Sequence, residues 1–161
     1  MNTKDINLLE LVGIIGAIIM VVSVFLIWGI VEVTSGTGIL TMDWSGWEIF
    51  NKEADMTTDA YYAPVIALVC GILAIISAIV PMFMTKPELA YIFDIMNMAV
   101  IVLGVIAIVC MAVFYNSFVD SVDIGMTIES AKVGTGFWLC LAGGIITVVG
   151  GILPVIRKLM V

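Results

Sequence analysis

Four long apolar runs, separated by polar segments, set the pattern of this chain. None of the runs contains an Asp, Glu, Lys or Arg, and they cover Leu11–Val31, Ala60–Thr85, Ile95–Val119 and Val133–Ile156. A helix rises 1.5 Å per residue, so about 20 apolar residues cross the hydrocarbon core of a bilayer. The pattern predicts four membrane-spanning helices at about residues 8–31, 62–84, 93–117 and 134–157, with outer loops at about 32–61 and 118–133.

The fold class predicted from these runs is an all-α membrane protein, with residues 1–161 forming one four-transmembrane-helix bundle. The composition agrees, because 63% of the residues are hydrophobic and only 12% are charged, unlike an ordinary soluble domain. The first run follows Lys4, as in a secretory signal, but it is longer than a cleavable apolar segment and no small-residue cleavage pattern follows it. We therefore expect a retained helix and no separate soluble domain.

The basic residues predict the orientation of the bundle. Lys52 and Lys132 fall on one side of it, whereas the other side holds Lys4, Lys86, Arg157 and Lys158. Because Lys and Arg are retained on the cytoplasmic side, both termini are predicted to be cytoplasmic, in a multi-pass protein of the plasma membrane. Most of the acidic residues then fall in the outer loops and give that face a negative charge.

The first outer loop carries the pattern of a small β-hairpin. It reads IVEVTSGTGILTMDW, two β-rich runs joined by SGTG, which is typical of paired strands. An isolated hairpin is marginal in water, so its apolar face must rest on helix ends, lipid or another subunit. Alternation places Glu32, Thr34, Thr41 and Asp43 on the polar face, and Val31, Val33, Leu40, Met42 and Trp44 on the apolar face. We expect an extracellular hairpin between helices 1 and 2 whose interaction residues are Leu40, Met42, Trp44 and Trp47.

Small residues recur along the fourth apolar run at three- or four-residue spacing. They are Gly136, Cys140, Gly144, Thr147 and Gly151, and weaker versions of the pattern occur around Gly13 in the first run and Gly71 in the second. In lipid, small residues let helix backbones approach closely, so these positions predict tight helix packing. The packing is expected within one bundle, with contact between subunits as the alternative.

Aromatic residues cluster at the predicted outer ends of the helices. Trp28 ends the first run, Tyr61 and Tyr62 begin the second, and Trp138 lies near the start of the fourth. Amphipathic rings favour the headgroup zone of a bilayer. These four residues are therefore predicted to form a membrane-interface belt.

The topology and a short tryptophan motif resemble the claudin-like tetraspan superfamily. That group has a tryptophan near the end of the first span and a first loop with a W…G-L-W…C…C signature, which Trp28, Gly46 and Trp47 match in part. The chain lacks the paired loop cysteines, so the disulfide-clamped loop of the family is not expected. The Gly-rich last span is also similar to that of small uncharacterised prokaryotic four-span membrane proteins. The resemblance implies lateral assembly or a role as a channel subunit.

Catalytic chemistry is not indicated by the sequence. The predicted spans lack the ionisable residues that mark most intramembrane catalytic or transport sites, the chain has no His, and it has no nucleotide-binding or hydrolase motif. We expect no enzymatic activity, no cofactor and no nucleic-acid partner. Cys70, Cys110 and Cys140 are interpreted as packing residues, with a shared thiol or metal site as the alternative.

The acidic outer loops admit one ligand hypothesis. Their carboxylates could supply oxygens for a weak Ca²⁺ site if the loops converge, although their spacing is not that of an EF-hand. A solvated acidic surface is the favoured interpretation. The residues concerned are Glu48, Glu53, Asp55, Asp59, Asp120, Asp123 and Glu129.

The functional prediction is a non-enzymatic structural or assembly protein of the membrane. Its expected partners are copies of itself or other membrane proteins. Its contacts are expected to use the outer loop and the small-residue helix faces. The alternative is an accessory subunit of a larger membrane complex, or a small channel or transporter subunit. A sensor role is also open, although the short cytoplasmic segments offer little surface for an effector.

Overall fold

The fold is mostly helical, with a small sheet at one end. The structure is a computed structural model, which describes residues 8–35, 38–51, 59–83, 90–121 and 128–160. Its elements in chain order are helix α1 (Leu8–Ser23), strands β1 (Ile27–Ser35) and β2 (Gly38–Ser45), helix α2 (Gly46–Phe50), a 3-10 turn (Asp59–Tyr62), helices α3 (Ala63–Phe83) and α4 (Ala90–Ser121), strand β3 (Ile128–Val133) and helix α5 (Thr135–Leu159).

The four long helices form one bundle. Helix α1 packs against α5 and α3, and α4 packs against the same two helices on the other side. Within the described residues, three helices are long and apolar enough to cross a membrane, over Ala63–Val80, Tyr91–Phe118 and Thr135–Ile156, while α1 contributes a shorter apolar stretch, Leu11–Ser23. These three helices support a multi-pass membrane protein.

The predicted first helix, residues 8–31, was wrong at its carboxyl end. Helix α1 stops at Ser23, whose Oγ donates to Met20 O (2.6 Å), and the backbone then turns through Leu26 N–H to Ser23 O (3.1 Å). Strand β1 begins at Ile27. An uninterrupted apolar run does not distinguish a helix from a buried strand, and Val and Ile are as frequent in the helical half of this run as in the half that contains β1.

The sheet has three antiparallel strands in the order β2-β1-β3. The predicted hairpin between β1 and β2 is confirmed, and its register pairs Val31 with Met42 and Val33 with Leu40, so these residues share a face as expected. The third strand was not predicted. It comes from the segment assigned to a loop, 118–133, and the same segment also loses residues to α4, which continues to Ser121.

The hydrophobic core extends to the place where the sheet meets the bundle. Val31 and Val33 of β1 are fully buried there against large side chains of the helices, namely Met20, Met111, Phe114, Phe118 and Phe137. Burying an aromatic side chain of this kind removes a large apolar area from water or lipid headgroups. The sheet is therefore an integral part of the core, and we call this part of the molecule the sheet end of the bundle.

Candidate interaction surface

Trp28 is the central residue of the sheet end. Its indole Nε1 donates to Ser23 O (2.7 Å), and its ring makes edge contacts with Phe114 (centroids 5.3 Å apart, 80°) and Phe137 (6.4 Å, 89°). Its side chain is fully buried. The prediction that Trp28 belongs to a membrane-interface belt was therefore wrong, because the early end of α1 turns this residue into the protein.

Two glycines make room for the Trp28 indole. A Cβ on Gly46 would lie 3.0 Å from Trp28 Nε1 and 2.8 Å from Val24 O, and a Cβ on Gly136 would lie 2.9 Å from Trp28 Nε1 and 2.7 Å from Ser23 O. Real Cβ atoms do not approach other atoms so closely without displacement. The association of Trp28 with Gly46, on which the family resemblance rests, thus has a packing reason within this chain.

Helix α2 attaches the second half of the tryptophan motif to the end of α1. Its Ser45 N-cap forms a capping box, with Ser45 N–H donating to Glu48 Oε2 (2.7 Å) and Glu48 N–H donating to Ser45 Oγ (3.2 Å). The Trp47 N–H donates to Val24 O (3.0 Å). The capping hydrogen bonds from Ser45 lower the pKa of the Glu48 carboxyl, since they favour its charged form.

The two tryptophans of the motif occupy different environments. Trp44 is half-buried and packs against the core, whereas Trp47 keeps 42% of its surface exposed beside Phe25 (centroids 6.2 Å apart) and Phe50 (5.9 Å). Trp47 therefore belongs to an exposed aromatic cluster, together with Phe25 and Phe50, next to the carboxyl end of α1. The spacing of Trp44 and Trp47 gave no sign of this difference.

The predicted belt residues other than Trp28 lie around the sheet end. Trp138 is 55% exposed on α5, Tyr62 is exposed and Tyr61 is half-buried, with the two tyrosine rings 4.1 Å apart. Their exposure at the end of the apolar helices is compatible with the headgroup zone of a bilayer.

The hairpin tip carries exposed apolar side chains. Met42 is half-buried on the inner face of the sheet, but farther along β2 Leu40 is 47% exposed and Ile39 is 65% exposed. Strand β2 is an edge strand of the sheet, so its outer backbone groups are not paired with another described strand. Exposed apolar edge strands are typical contact surfaces.

The opposite face of the sheet is polar and linked across strands. Ser130 Oγ donates to Glu32 Oε2 (2.7 Å), and Lys132 Nζ lies 3.5 Å from Glu32 Oε1. The Ser130 hydrogen bond, followed by the positive charge of Lys132, lowers the pKa of the Glu32 carboxyl. These contacts join β1 to β3, which are nearly a hundred residues apart in the chain.

The small residues predicted for helix packing lie inside the bundle. A Cβ on Gly16 of α1 would lie 2.7 Å from Gly143 O of α5, and on Gly144 it would lie 3.1 Å from the Ile108 side chain of α4. On Gly71 of α3 it would meet the Val21 side chain at 2.8 Å. The other predicted positions, Gly13, Gly136, Cys140, Thr147 and Gly151, are all buried.

Helix α5 thus presents small residues on two sides. One side holds Gly143 and Gly150 against the backbone of α1, and the other holds Gly144 and Gly151 against α4. The Thr147 hydroxyl between them donates to Gly143 O (2.8 Å) of its own helix, so it adds no unsatisfied polar group. Close backbone contact on both sides explains the high glycine content of this helix.

Two metal sites were considered from the sequence, one at the three cysteines and one for Ca²⁺ at the acidic loops, and the described residues form a set of ligands for neither. Among the residues the structure describes, no group of three His, Cys, Asp or Glu side chains is placed to hold a metal ion. Cys70 and Cys140 are buried free thiols of the core and Cys110 packs against it. Of the seven acids considered for Ca²⁺, Glu48 is engaged in the capping box; the side chains of the other six, Glu53, Asp55, Asp59, Asp120, Asp123 and Glu129, lie outside the described part of the chain.

No protein-family model, curated protein or solved structure matches this chain. The claudin-like resemblance therefore stays a prediction from the sequence.

Proposed function

We propose that this protein is a non-enzymatic membrane protein with a structural or assembly role, which associates through the hairpin tip with copies of itself or with other membrane proteins. The observation that carries the proposal is the exposure of Ile39 and Leu40 on an edge strand. Apolar side chains and unpaired strand edges together favour contact with another chain. The hairpin is held in place by the pairing of its strand β1 with β3, which lowers the entropic cost of association.

The small-residue faces of the helices are not part of this proposed contact. Gly16 and Gly143 face each other across the α1–α5 interface, and Gly104 of α4 lies against α5, where its Cβ would be 3.0 Å from Gly144 O. Because these surfaces are already covered within one chain, the association we propose depends on the sheet end. The sequence predicted contacts through both the outer loop and the small-residue helix faces, and the proposal keeps only the outer loop.

The membrane arrangement we propose has α1 crossing the bilayer beside α5, with the sheet on the outer side and both termini in the cytoplasm. At 1.5 Å per residue the 16 residues of α1 span about 24 Å, less than a hydrocarbon core of about 30 Å. The exposed apolar residues that follow it, Phe25, Leu26 and Ile27, extend the apolar length. Local thinning of the bilayer accommodates a short helix at modest cost.

A channel through a single copy is the weaker alternative. The fully buried rings of Trp28, Phe114 and Phe118 fill the bundle at the sheet end, and the buried hydroxyls of Ser23 and Thr147 bond to carbonyls of their own helix. A conducting path needs polar groups that face a water-filled passage. An accessory-subunit role remains the main alternative, because the same hairpin tip could contact a larger complex.

Photo-crosslinking in native membranes tests the proposal. A photoreactive benzophenone amino acid is placed at position 39, and as a control at position 160, because Met160 is highly exposed at the far end of α5. We expect a protein adduct from position 39 and none from position 160. An adduct with a second copy supports self-assembly, and an adduct with a different membrane protein supports the accessory role. Labelling of lipid alone at position 39 would refute both.

A further inference from the structure

A small cavity lies inside the bundle at the end away from the sheet. It has a volume of about 10 Å³ and is lined by residues of all four long helices, among them Gly13 of α1, Ala78 of α3, Asn97 of α4 and Gly150 of α5. Because every helix contributes to its wall, the cavity lies near the axis of the bundle. A space of this size holds about one water molecule.

Asn97 provides the polar side chain of this cavity. Only 7% of its surface is exposed, and the other lining side chains belong to Gly, Ala, Val and Phe. In the part of the chain that the structure describes, no protein group forms a hydrogen bond with the Asn97 side-chain amide. No fully buried side-chain N or O atom of the described residues lacks a hydrogen-bond partner, so the Asn97 amide keeps a little accessible surface where it lines the cavity. Polar groups in such places are usually satisfied by ordered water.

The backbone carbonyl of Gly150 is a second polar group at the same place, because Pro154 leaves it without its usual helical donor. Pro154 lies inside α5, and proline has no N–H to donate to the carbonyl four residues earlier. That carbonyl belongs to Gly150, which lines the cavity with Asn97. Helices in membranes tolerate proline where another group satisfies the freed carbonyl, and an ordered water is one such group.

We propose that the cavity binds a single ordered water molecule that joins α4 to α5. The Asn97 amide N–H donates to the water oxygen, and the water donates to the Gly150 carbonyl that Pro154 leaves without its helical partner. Among the described residues that line the cavity none carries a charged side chain, so a neutral ligand fits and a bare ion does not. The cavity is too small for a larger polar molecule.

Water–protein NMR on the isotope-labelled protein in lipid nanodiscs tests this site directly. We expect the Asn97 side-chain amide to show a nuclear Overhauser effect at the water frequency, with the sign of a water bound for longer than about a nanosecond. Asn116 is the matched control, because it lies on the same helix with an exposed side chain. A contact of the short-lived kind at both residues, or no contact at Asn97, would overturn the proposal.

A pair of substitutions tests whether the water bridges both groups. Asn97→Leu removes the amide and is expected to lower the midpoint of thermal unfolding, because the Gly150 carbonyl then loses its bridged partner. Pro154→Ala restores a helical N–H for that carbonyl, so the same Asn97→Leu change should lower the midpoint by less in this background. Equal shifts in both backgrounds would show that the two groups are not coupled and would contradict the bridge.

Discussion

At the scale of single residues, the Trp28 side chain holds the backbone in position where the chain passes from helix α1 into strand β1. Its Nε1–H bonds to Ser23 O, its ring lies between Phe114 and Phe137, and two glycines leave space for it. A buried indole whose N–H is satisfied contributes both apolar area and a hydrogen bond. The end of α1, the start of β1 and the start of α5 are all held by this residue.

Trp28→Phe is expected to destabilise the protein by about 2 kcal/mol, through the lost hydrogen bond and the space left by the smaller ring. The measurement is reversible unfolding in mixed micelles, followed by circular dichroism. Trp138→Phe is the matched control, because this tryptophan is more than half exposed and should change stability little. Equal losses in the two variants would contradict the central role of Trp28.

The contacts of the Glu32 carboxyl make the free energy of unfolding depend on pH. The pKa of this carboxyl is lowered below the ordinary value of 4.5, first by the Ser130 hydrogen bond and then by Lys132. A carboxyl with a lowered folded-state pKa contributes stability that is fully present above its unfolded pKa and is lost as pH falls through the folded pKa. The contribution is therefore present at neutral pH and is lost below about pH 4.5.

We expect Glu32→Gln to be less stable than wild type at pH 7 and to approach wild type as the pH falls below 4.5. Thermal unfolding between pH 7 and pH 3 measures the difference. Ser130→Ala should reduce the same difference, because the Ser130 hydrogen bond is the largest cause of the pKa shift. A wild-type advantage that stays constant over this range would contradict the assignment.

At the scale of the elements, the α1–α5 interface depends on backbone contact at particular glycines. A Cβ on Gly16 would lie 2.7 Å from the Thr147 Oγ1 and Gly143 O atoms, whereas a Cβ on Gly13, one turn earlier, would make only ordinary contacts at 3.6 Å and beyond. The two glycines lie on the same helix and face the same neighbour. They therefore form a matched pair for substitution.

Gly16→Ala is expected to cost about 1–3 kcal/mol, because the added methyl group forces two helix backbones apart. Gly13→Ala should be neutral or slightly stabilising, since alanine has the higher helix propensity and finds space. Unfolding of the two variants under the same micelle conditions gives the comparison. A larger loss for Gly13→Ala than for Gly16→Ala would contradict the packing described for this interface.

The elements also show what sequence could and could not predict. The apolar runs predict α3, α4 and α5 well, and the SGTG turn with alternating residues predicts the β1–β2 hairpin. Strand β3 was missed because its pairing with β1 joins segments about a hundred residues apart, which no local pattern reveals. The end of α1 was missed because Ser23 and Trp28 interrupt no apolar run, although both are needed for the turn.

The candidate contact surface was predicted only in part. Alternation along β2 assigns Leu40, Met42 and Trp44 to one face, as the register shows. It gives no information on where that face stops touching the helices, so the exposure of Leu40 and the burial of Trp44 against the core required the tertiary structure. Trp28 was misplaced for the same reason, because the membrane pattern of tryptophan and a buried indole look alike in sequence.

At the scale of the whole molecule, the proposed topology has a direct test. The native cysteines lie in the core or pack against it, so a cysteine introduced at an exposed site is the main target for a membrane-impermeant maleimide. We expect Thr41→Cys in the sheet to react in intact cells and Met160→Cys to react only after permeabilisation. Reaction of Met160→Cys in intact cells would contradict cytoplasmic termini.

The whole molecule is a helical bundle that holds a three-stranded sheet, and the association we propose uses the hairpin tip of that sheet. The test of this claim is the native mass of the protein extracted in mild detergent from its own membrane. We compare wild type with Ile39→Ser/Leu40→Ser, and with Thr41→Ala as a control at the next residue of the same strand, which is exposed but polar. Wild type and the control should run as an assembly, and the double variant as a single 17.3 kDa chain. A monomeric wild type, or an assembly unchanged in the double variant, would contradict the account.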